Sequence, residues 1–351
     1  MATIDAYGPD GAGTTSHPGG SEGGAGTLRA TVVIPVYNGL DDYLRETVAA
    51  VLAQRVDFGF ELLVIDSGSS DGSSEFLRAL AADDARVRLV EIPNAEFSHG
   101  GTRQLAAELA HGEYVVYLSQ DAVPASNEWL AAMLQGFEVA ANVGGVLGRQ
   151  IPRPDCFPLQ KYDIIHAFDR QGSADEYRVF TSADIDQGAS GFYSDVCSAA
   201  PRALLNGPVP YRQVDYAEDQ AFAADLLANG FSKVYAGPAV VIHSNDIRLQ
   251  DYRARIAAEV RGLRGTGTDV QPPGWRQLVG ALTRDSLDDI RRTLRDAEYS
   301  PFQKLDFIAN APLYRFARWR GLRDGAGASS LGAKIAGRAR NDSLGNDRAL
   351  R

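Results

Sequence analysis

The apolar run Tyr114-Val115-Val116-Tyr117-Leu118 ends in Ser119-Gln120-Asp121-Ala122, so a lone carboxylate leaves the tip of a buried strand among polar neighbours. Such a carboxylate suits Mg²⁺ or Mn²⁺, hard cations that take oxygen ligands and keep positions open for a bound anion. Far downstream, Glu218-Asp219 opens a helical pattern. Acids in a first helical turn are favoured by the macrodipole in any protein. One carboxylate at a sheet edge and another downstream nevertheless match a specific chemistry: a metal-bound anion is held while a neighbouring group is deprotonated. His243 ends the strand Val240-Val241-Ile242 and precedes Ser244 and Asn245. A histidine there is commonly structural, but within reach of Asp121 it would complete a metal site.

Two further clusters carry polar groups at turns. Val64-Ile65-Asp66 ends a strand in an acid, and Ser67-Gly68-Ser69-Ser70-Asp71-Gly72 follows as a turn in which Ser70 or Asp71 suits a helix cap. Asp66, an acceptor at a strand tip, is placed for the imide N–H of a uracil or thymine ring. In Phe97-Ser98-His99-Gly100-Gly101-Thr102-Arg103, the two glycines at a helix entry let the backbone approach a ligand, and helix N–H groups favour anions. Arg103 could add a charge-assisted contact to phosphate. A His-Gly-Gly turn is weak on its own, and a surface turn with a solvated arginine reads the same.

The elements that must position these residues follow from hydrophobic pattern. Thr31-Val32-Val33-Ile34-Pro35-Val36, Glu61-Leu62-Leu63-Val64-Ile65 and Val87 to Ile92 are strands buried on both faces, separated by helical spacings at Leu44, Val48, Val51 and Leu52, and at Phe76, Leu77 and Leu80. A helix from Thr102 to His111 stops at Gly112 as a C-cap, and another from Asn127 carries Trp129, Leu130, Met133, Leu134 and Phe137. Strands alternating with short helices predict a βαβ array with a mostly parallel sheet, whose ligands bind outside the carboxyl ends of the strands. Residues 151–200 are loop-rich, with Pro152, Pro154 and Pro158; a helix from Asp219 to Ala228 and the strand Ala239 to Ile242 follow.

Composition sets the limits. The chain has 351 residues, enough for about two domains. Its formal net charge of −10 opposes a nucleic-acid partner, which needs a basic face. Cys156 and Cys197 lack metal-like spacing and read as free thiols of a reducing compartment. No apolar stretch is long enough to span a bilayer and no signal-peptide pattern opens the chain, so a cytoplasmic protein is expected. Residues 1–28 are rich in Gly, Ser and Thr and are expected to be disordered, as is 324–351.

Val32-Val33-Ile34-Pro35-Val36-Tyr37-Asn38 resembles the opening strand of inverting glycosyltransferases of family 2. Asp66 to Gly72 looks like their Asp-Asp-Gly-Ser-x-Asp-Gly motif, Ser119-Gln120-Asp121 like Asp-x-Asp, and Tyr216-Ala217-Glu218-Asp219-Gln220 like the Glu-Asp base motif. Phe97 to Arg103, Leu118 to Ala122, Val196-Cys197-Ser198-Ala199 and Ile242-His243-Ser244 are similar to stretches of bacterial rhamnosyltransferases. The resemblance implies an α/β GT-A fold, a Rossmann-like and mostly parallel sheet at 29–245, with a helical C-terminal region at 246–323. It implies a nucleotide-diphosphate sugar donor (dTDP-L-rhamnose first), a glycan, lipid-linked or small-molecule acceptor, and Mg²⁺ or Mn²⁺. By resemblance Pro35, Tyr37 and Asp66 would hold the nucleoside, with His99, Gly100 and Gln120 also on the donor side and Arg103 on the diphosphate or ribose. Asp121 and His243 would bind the metal; Asp219, beside Glu218, would be the base. Three positions depart from the pattern: Ser67 and Ser119 replace acids, and Pro201-Arg202 stands where two basic residues are expected.

Two rival readings are weaker. A dinucleotide oxidoreductase would need Gly-x-Gly-x-x-Gly after the first strand, where Pro35-Val36-Tyr37-Asn38 stands. A catalytically silent binding or scaffold protein of the same fold would not need Asp121 together with Glu218-Asp219. For 246–323, the alternatives are a helical cap over the acceptor pocket, peripheral membrane contact through the Arg/aromatic stripe of 313–323, or a packed helix with solvated arginines.

Overall fold

A computed structural model describes residues 28–346 except 215, 245–246 and 266–268, with side chains described through 327. The expected N-terminal tail, up to residue 27, lies outside the described residues. Nine strands form one sheet: β1 (Leu28–Val36), β2 (Gly59–Asp66), β3 (Val87–Glu91), β4 (Tyr114–Leu118), β5 (Val123–Pro124), β6 (Val143–Ile151), β7 (Tyr177–Phe180), β8 (Cys197–Pro201) and β9 (Ser232–Ile242). Around it lie α1 (Leu44–Leu52), α2 (Ser73–Asp83), α3 (His99–Leu109), α4 (Trp129–Gln135), α5 (Pro158–Asp169), α6 (Ser182–Asp186), α7 (Arg202–Leu205) and α8 (Glu218–Ala228). The chain ends in α9 (Leu249–Gly265), α10 (Trp275–Gly280), α11 (Ser286–Arg295) and α12 (Pro301–Asn346), with a π-helical turn, Ala281–Asp285, joining α10 to α11.

The order β3-β2-β1-β4-β8-β6-β9-β5, with β7 on β9, divides the sheet in two. The half built from β3, β2, β1 and β4 is parallel, and Val32, Val33, Ile34, Leu62, Leu63 and Val64 are fully buried there, as the continuous apolar runs require. The other half departs from the expected mostly parallel sheet. β8 runs antiparallel to β4 and β6, and β5 and β7 run antiparallel to β9. Side-chain size hides this half in the sequence: β6 carries Gly144, Gly145 and Gly148, and β8 reads Cys-Ser-Ala-Ala-Pro. Small residues lack the β-branched signal of a strand.

One apolar layer, with Leu44, Val48, Leu77, Trp129 and Met133, fills one face of the sheet; a second, with Ala106, Ala107, Tyr193, Tyr211, Phe222 and Leu226, fills the other. A third cluster of Phe157, Leu159, Tyr252, Ile256 and Tyr314 joins the helical region to the sheet domain. α12 lies close against α9, and a Cβ at Gly321 would stand 2.7 Å from the Arg253 carbonyl oxygen. α12 also continues as backbone helix to Asn346, past residue 323 where composition suggests an unordered tail. A helix already packed on a neighbour propagates at low cost through alanine-rich sequence.

The Arg/aromatic stripe of 313–323 is largely used internally. Arg315 grips Asp289 through two hydrogen bonds of 2.6 and 2.7 Å, Arg318 pairs with Asp163, and Arg323 donates to the Pro273 carbonyl at 2.9 Å. The Trp319 indole donates to the Gly274 carbonyl. Packing therefore takes most of the groups that a membrane contact there would need, and Leu313, Phe316 and Arg320 remain exposed.

Candidate active site

A cleft of about 830 Å³ opens where β1, β4 and β9 end, the edge at which such sheets bind ligands. Its floor is set by the turn after β1. The Tyr37 N–H donates to Gln120 Oε1 at 2.9 Å and Gln120 Nε2 donates back to the Tyr37 carbonyl at 3.3 Å, so the two strand tips are latched together. Pro35, Tyr37 and Gln120 all line the cleft, and Tyr37 is left half exposed.

Asp66 does not reach the cleft as expected. Its carboxylate is buried, accepts from the hydroxyls of Ser69 and Ser74, and does not line the cleft. Ser67, the departure from the acidic motif, lines the cleft instead. Gly100 is also corrected. A Cβ there would stand 2.1 Å from the Arg212 carbonyl oxygen, so the glycine serves close packing of α3 on the chain before α8 rather than approach to a ligand. Arg202, at the third departure, donates to the Gly112 carbonyl at 3.0 Å.

On the β4 side, Val123 of β5 pairs with Ile242 of β9, and this brings Asp121 to His243. His243 Nε2 lies 3.4 Å from Asp121 Oδ2, and His243 is buried. Burial acts to raise the Asp121 carboxyl, but the hydrogen bond and charge of His243 outweigh it and hold the group below its ordinary range. Arg153, which sequence reasoning missed, ties both strand ends by donating to the Asp121 carbonyl at 2.6 Å and the Ser244 carbonyl at 3.3 Å. His243 Nδ1 is buried without a partner, and the pair offers one carboxylate and one imidazole. This set fits a divalent cation, more readily Mn²⁺ than oxygen-seeking Mg²⁺. Among the described residues no three such side chains converge. Remaining coordination positions would therefore belong to ligand oxygens and water.

On the other wall, Ala217 takes a left-handed backbone (φ 62°, ψ 31°) immediately before Glu218 and turns α8 into the cleft. Glu218 points back. Its Oε1 accepts from Arg103 Nη1 at 2.6 Å, while Arg103 Nε stands 3.0 Å from Asp195 Oδ2. The second contact is an ion pair without hydrogen-bond alignment. Arg103 is thus clamped between two buried acids instead of reaching freely for a diphosphate. Asp195, also missed, accepts from Ser198 Oγ at 2.6 Å and donates its backbone N–H to Asp219 Oδ2 at 3.4 Å. Asp219 lines the cleft, and its Oδ1 accepts from the Gln220 N–H at 2.7 Å. Burial, then the charges of Asp195 and Glu218, push the Asp219 carboxyl up to about 8, against the opposing pull of Arg103. Three acids share one cation here, which favours the protonated form of Asp219.

His99 sits edge-on to Phe97 and Tyr216 with ring centroids 5.1 and 6.1 Å away. Burial, with Arg103 and Arg255 nearby, lowers its pKa to about 4 and keeps it neutral. α9 closes the outer wall with Arg255, Glu259 and Leu263, and the Tyr216 hydroxyl donates to Glu259 Oε1 at 3.1 Å. Cys197 stays apart from this chemistry, a buried free thiol pushed up to about 12 by burial.

A carboxylate–imidazole pair thus faces a raised carboxylate across a sheet-edge cleft, an arrangement suited to group transfer. The Glycosyl transferase family 2 model matches residues 31–205. The O-antigen chain rhamnosyltransferase RfbN of Salmonella typhimurium is 31% identical over 225 residues, 62% of this chain and 67% of that protein. The O-antigen chain rhamnosyltransferase WbaN of Salmonella anatum is 30% identical over 221 residues, 62% of this chain and 66% of that protein. The mannosyltransferase PcManGT of Pyrobaculum calidifontis, solved with GDP-Man and Mn²⁺, shares the fold with a TM-score of 0.51 at 19% identity, over 92% of this chain and 81% of that one. The chain belongs to glycosyl transferase family 2, with the GT-A fold, and is a glycosyltransferase similar to rhamnosyltransferases.

Proposed function

We propose that this enzyme moves L-rhamnose from dTDP-L-rhamnose to a hydroxyl of a glycan, lipid-linked or small-molecule acceptor, inverting the anomeric carbon. The observation that carries the reading is the single cleft with Asp121 and His243 on one wall and Asp219 on the other. The similarity to O-antigen rhamnosyltransferases supports the sugar, and the Mn²⁺ of the PcManGT complex supports a divalent ion. Pro35 and Tyr37, with Ser67, would hold the nucleoside. Asp121 and His243 would hold Mg²⁺ or Mn²⁺, which when bound offsets charge on the departing diphosphate. Asp219 takes the proton of the acceptor hydroxyl as that oxygen bonds to the anomeric carbon from the face opposite the diphosphate. The bond to the diphosphate oxygen breaks, and the nucleoside diphosphate leaves with its electron pair. His99, Tyr216 and the Arg255–Glu259 pair of α9 border the space left for the acceptor.

The test is thermal-shift binding of dTDP, UDP and GDP with their sugars, with and without Mn²⁺ or Mg²⁺. Donor at a hundredfold its Kd stabilises the fold by about 2.7 kcal/mol, a shift of a few degrees. The dTDP-rhamnose shift should need the metal and disappear in Asp121→Ala and His243→Ala. A shift that survives chelation would sink the metal site, and no shift with any nucleotide would sink the donor reading.

A pH dependence follows from Asp219. Its protonated form accepts no proton, so kcat/KM should rise about tenfold per pH unit below the group's pKa and level off above it. Because the folded pKa, about 8, lies above the ordinary aspartate value of 3.8, the folded protein holds a proton that the unfolded chain releases. This group's contribution to stability therefore falls as pH rises between those values. A rate profile flat across neutral pH would remove Asp219 from the base role.

A further inference from the structure

Away from the cleft, α11 is turned inside out. Its buried residues are Ser286, Asp289 and Thr293, with Asp289 neutralised by Arg315, whereas Leu287 and Leu294 are exposed. A surface helix in water normally buries the apolar side. On α12, Phe302, Leu305, Ala309, Leu313 and Phe316 recur at helical spacing opposite the residues packed on α9, and Phe302 is 86% and Leu305 69% exposed. Trp275, 68% exposed, and Val279 extend the apolar surface along α10. Of the twelve exposed large hydrophobic residues among the described ones, nine fall between Trp275 and Phe316. Exposed large apolar side chains are thus gathered in this one stretch of the chain.

Charge identifies what covers it. Leaving out Arg315, Arg318 and Arg323, which packing engages, and Asp289, which Arg315 pairs, the stretch from Trp275 to Arg323 keeps seven Arg and Lys against five Asp and Glu, inside a protein of formal net charge −10. A symmetric pairing of two copies would set two net-positive faces together, which like-charge repulsion opposes. No helix of the described residues is long and apolar enough to cross a membrane. We propose that this face rests on an anionic lipid surface. Trp275, Phe302 and Leu305 enter the headgroup boundary, and the exposed Arg276, Arg295 and Arg320 meet the phosphates. The surface is centred on α10, α11 and the start of α12, not on the arginines of 313–323 that packing has already engaged. It does not depend on which donor or acceptor the cleft takes.

The experiment is co-sedimentation of the full chain with vesicles of phosphatidylcholine mixed with phosphatidylglycerol, and with phosphatidylcholine alone. Wild type should partition onto the anionic vesicles, less as salt rises. The double variant F302D/L305D should lose about tenfold or more in partitioning. Its urea midpoint should stay unchanged, because both side chains are outward. Wild type that ignores anionic vesicles overturns the proposal. So does a wild-type dimer in analytical ultracentrifugation that the same double variant converts to monomer, since the face would then be a contact between copies.

Discussion

Asp219→Asn is expected to lower the rate of sugar transfer by about 10²–10⁴-fold, the usual worth of a positioned general base. The substitution is close to isosteric. The asparagine carbonyl can still accept the Gln220 N–H that Asp219 Oδ1 receives at 2.7 Å, so the first turn of α8 keeps its contact. An amide cannot take up the acceptor's proton. The side proposed for the donor is built from different strand tips, with Asp121 and His243 at the ends of β4 and β9. Donor affinity should therefore change little while turnover collapses. Release of nucleoside diphosphate under saturating donor, read beside a donor titration of the same variant, separates the two. Turnover within tenfold of wild type would mean that another group accepts the proton.

The largest stability effect is expected at Arg103. Its side chain is 12% exposed and bridges α3 to Asp195, which is fully buried, and to Glu218, which is 7% exposed. Arg103→Met leaves two buried acids without a counter-charge, a loss of about 3–5 kcal/mol when one partner of a buried pair is removed. Adding Asp195→Asn should recover part of that loss, because the remaining cluster holds one acid fewer; the double-mutant cycle isolates the coupling. Urea unfolding of the four proteins measures it. If Arg103→Met unfolds within about 1 kcal/mol of wild type but loses donor affinity, the arginine faces the diphosphate, as the sequence alone suggests, and the clamp is incidental.

The strand-tip wall of the cleft was the readable part of this chain for a physical reason. Parallel strands buried on both faces are continuous apolar runs, so the polar residues at their tips, Pro35-Val36-Tyr37, Ser119-Gln120-Asp121 and His243, stand out against them. What lies across the cleft from a polar residue was not readable. Asp66 and Gly100 have the right types at the right places, yet one is satisfied by Ser69 and Ser74 and the other packs on Arg212. Asp195 sits in the loop-rich stretch before β8, where no periodicity marks it. Its signal was a charge between Tyr193-Ser194 and Val196-Cys197, a setting in which burial demands a partner. That partner, Arg103, lies on a distant helix, so only the fold reveals the pair. The antiparallel half of the sheet escaped because glycine, alanine and serine carry so little strand propensity in β6 and β8.

The left-handed turn at Ala217 has a consequence for redesign of this enzyme. Its side chain is a single methyl group, and it takes part in no proton transfer, yet its backbone sets the direction in which the following helix leaves the turn. Glycine, asparagine and aspartate adopt that conformation cheaply, whereas β-branched residues do not. Position 217 is therefore narrow in the residues it accepts although it is chemically silent. A library that seeks new acceptor preferences can vary the cleft-lining neighbour Tyr216 and the α9 residues Arg255 and Glu259. Randomising Ala217 along with them would fill the library with members whose Asp219, the proposed base, points elsewhere, and their inactivity would be mistaken for a failure of recognition.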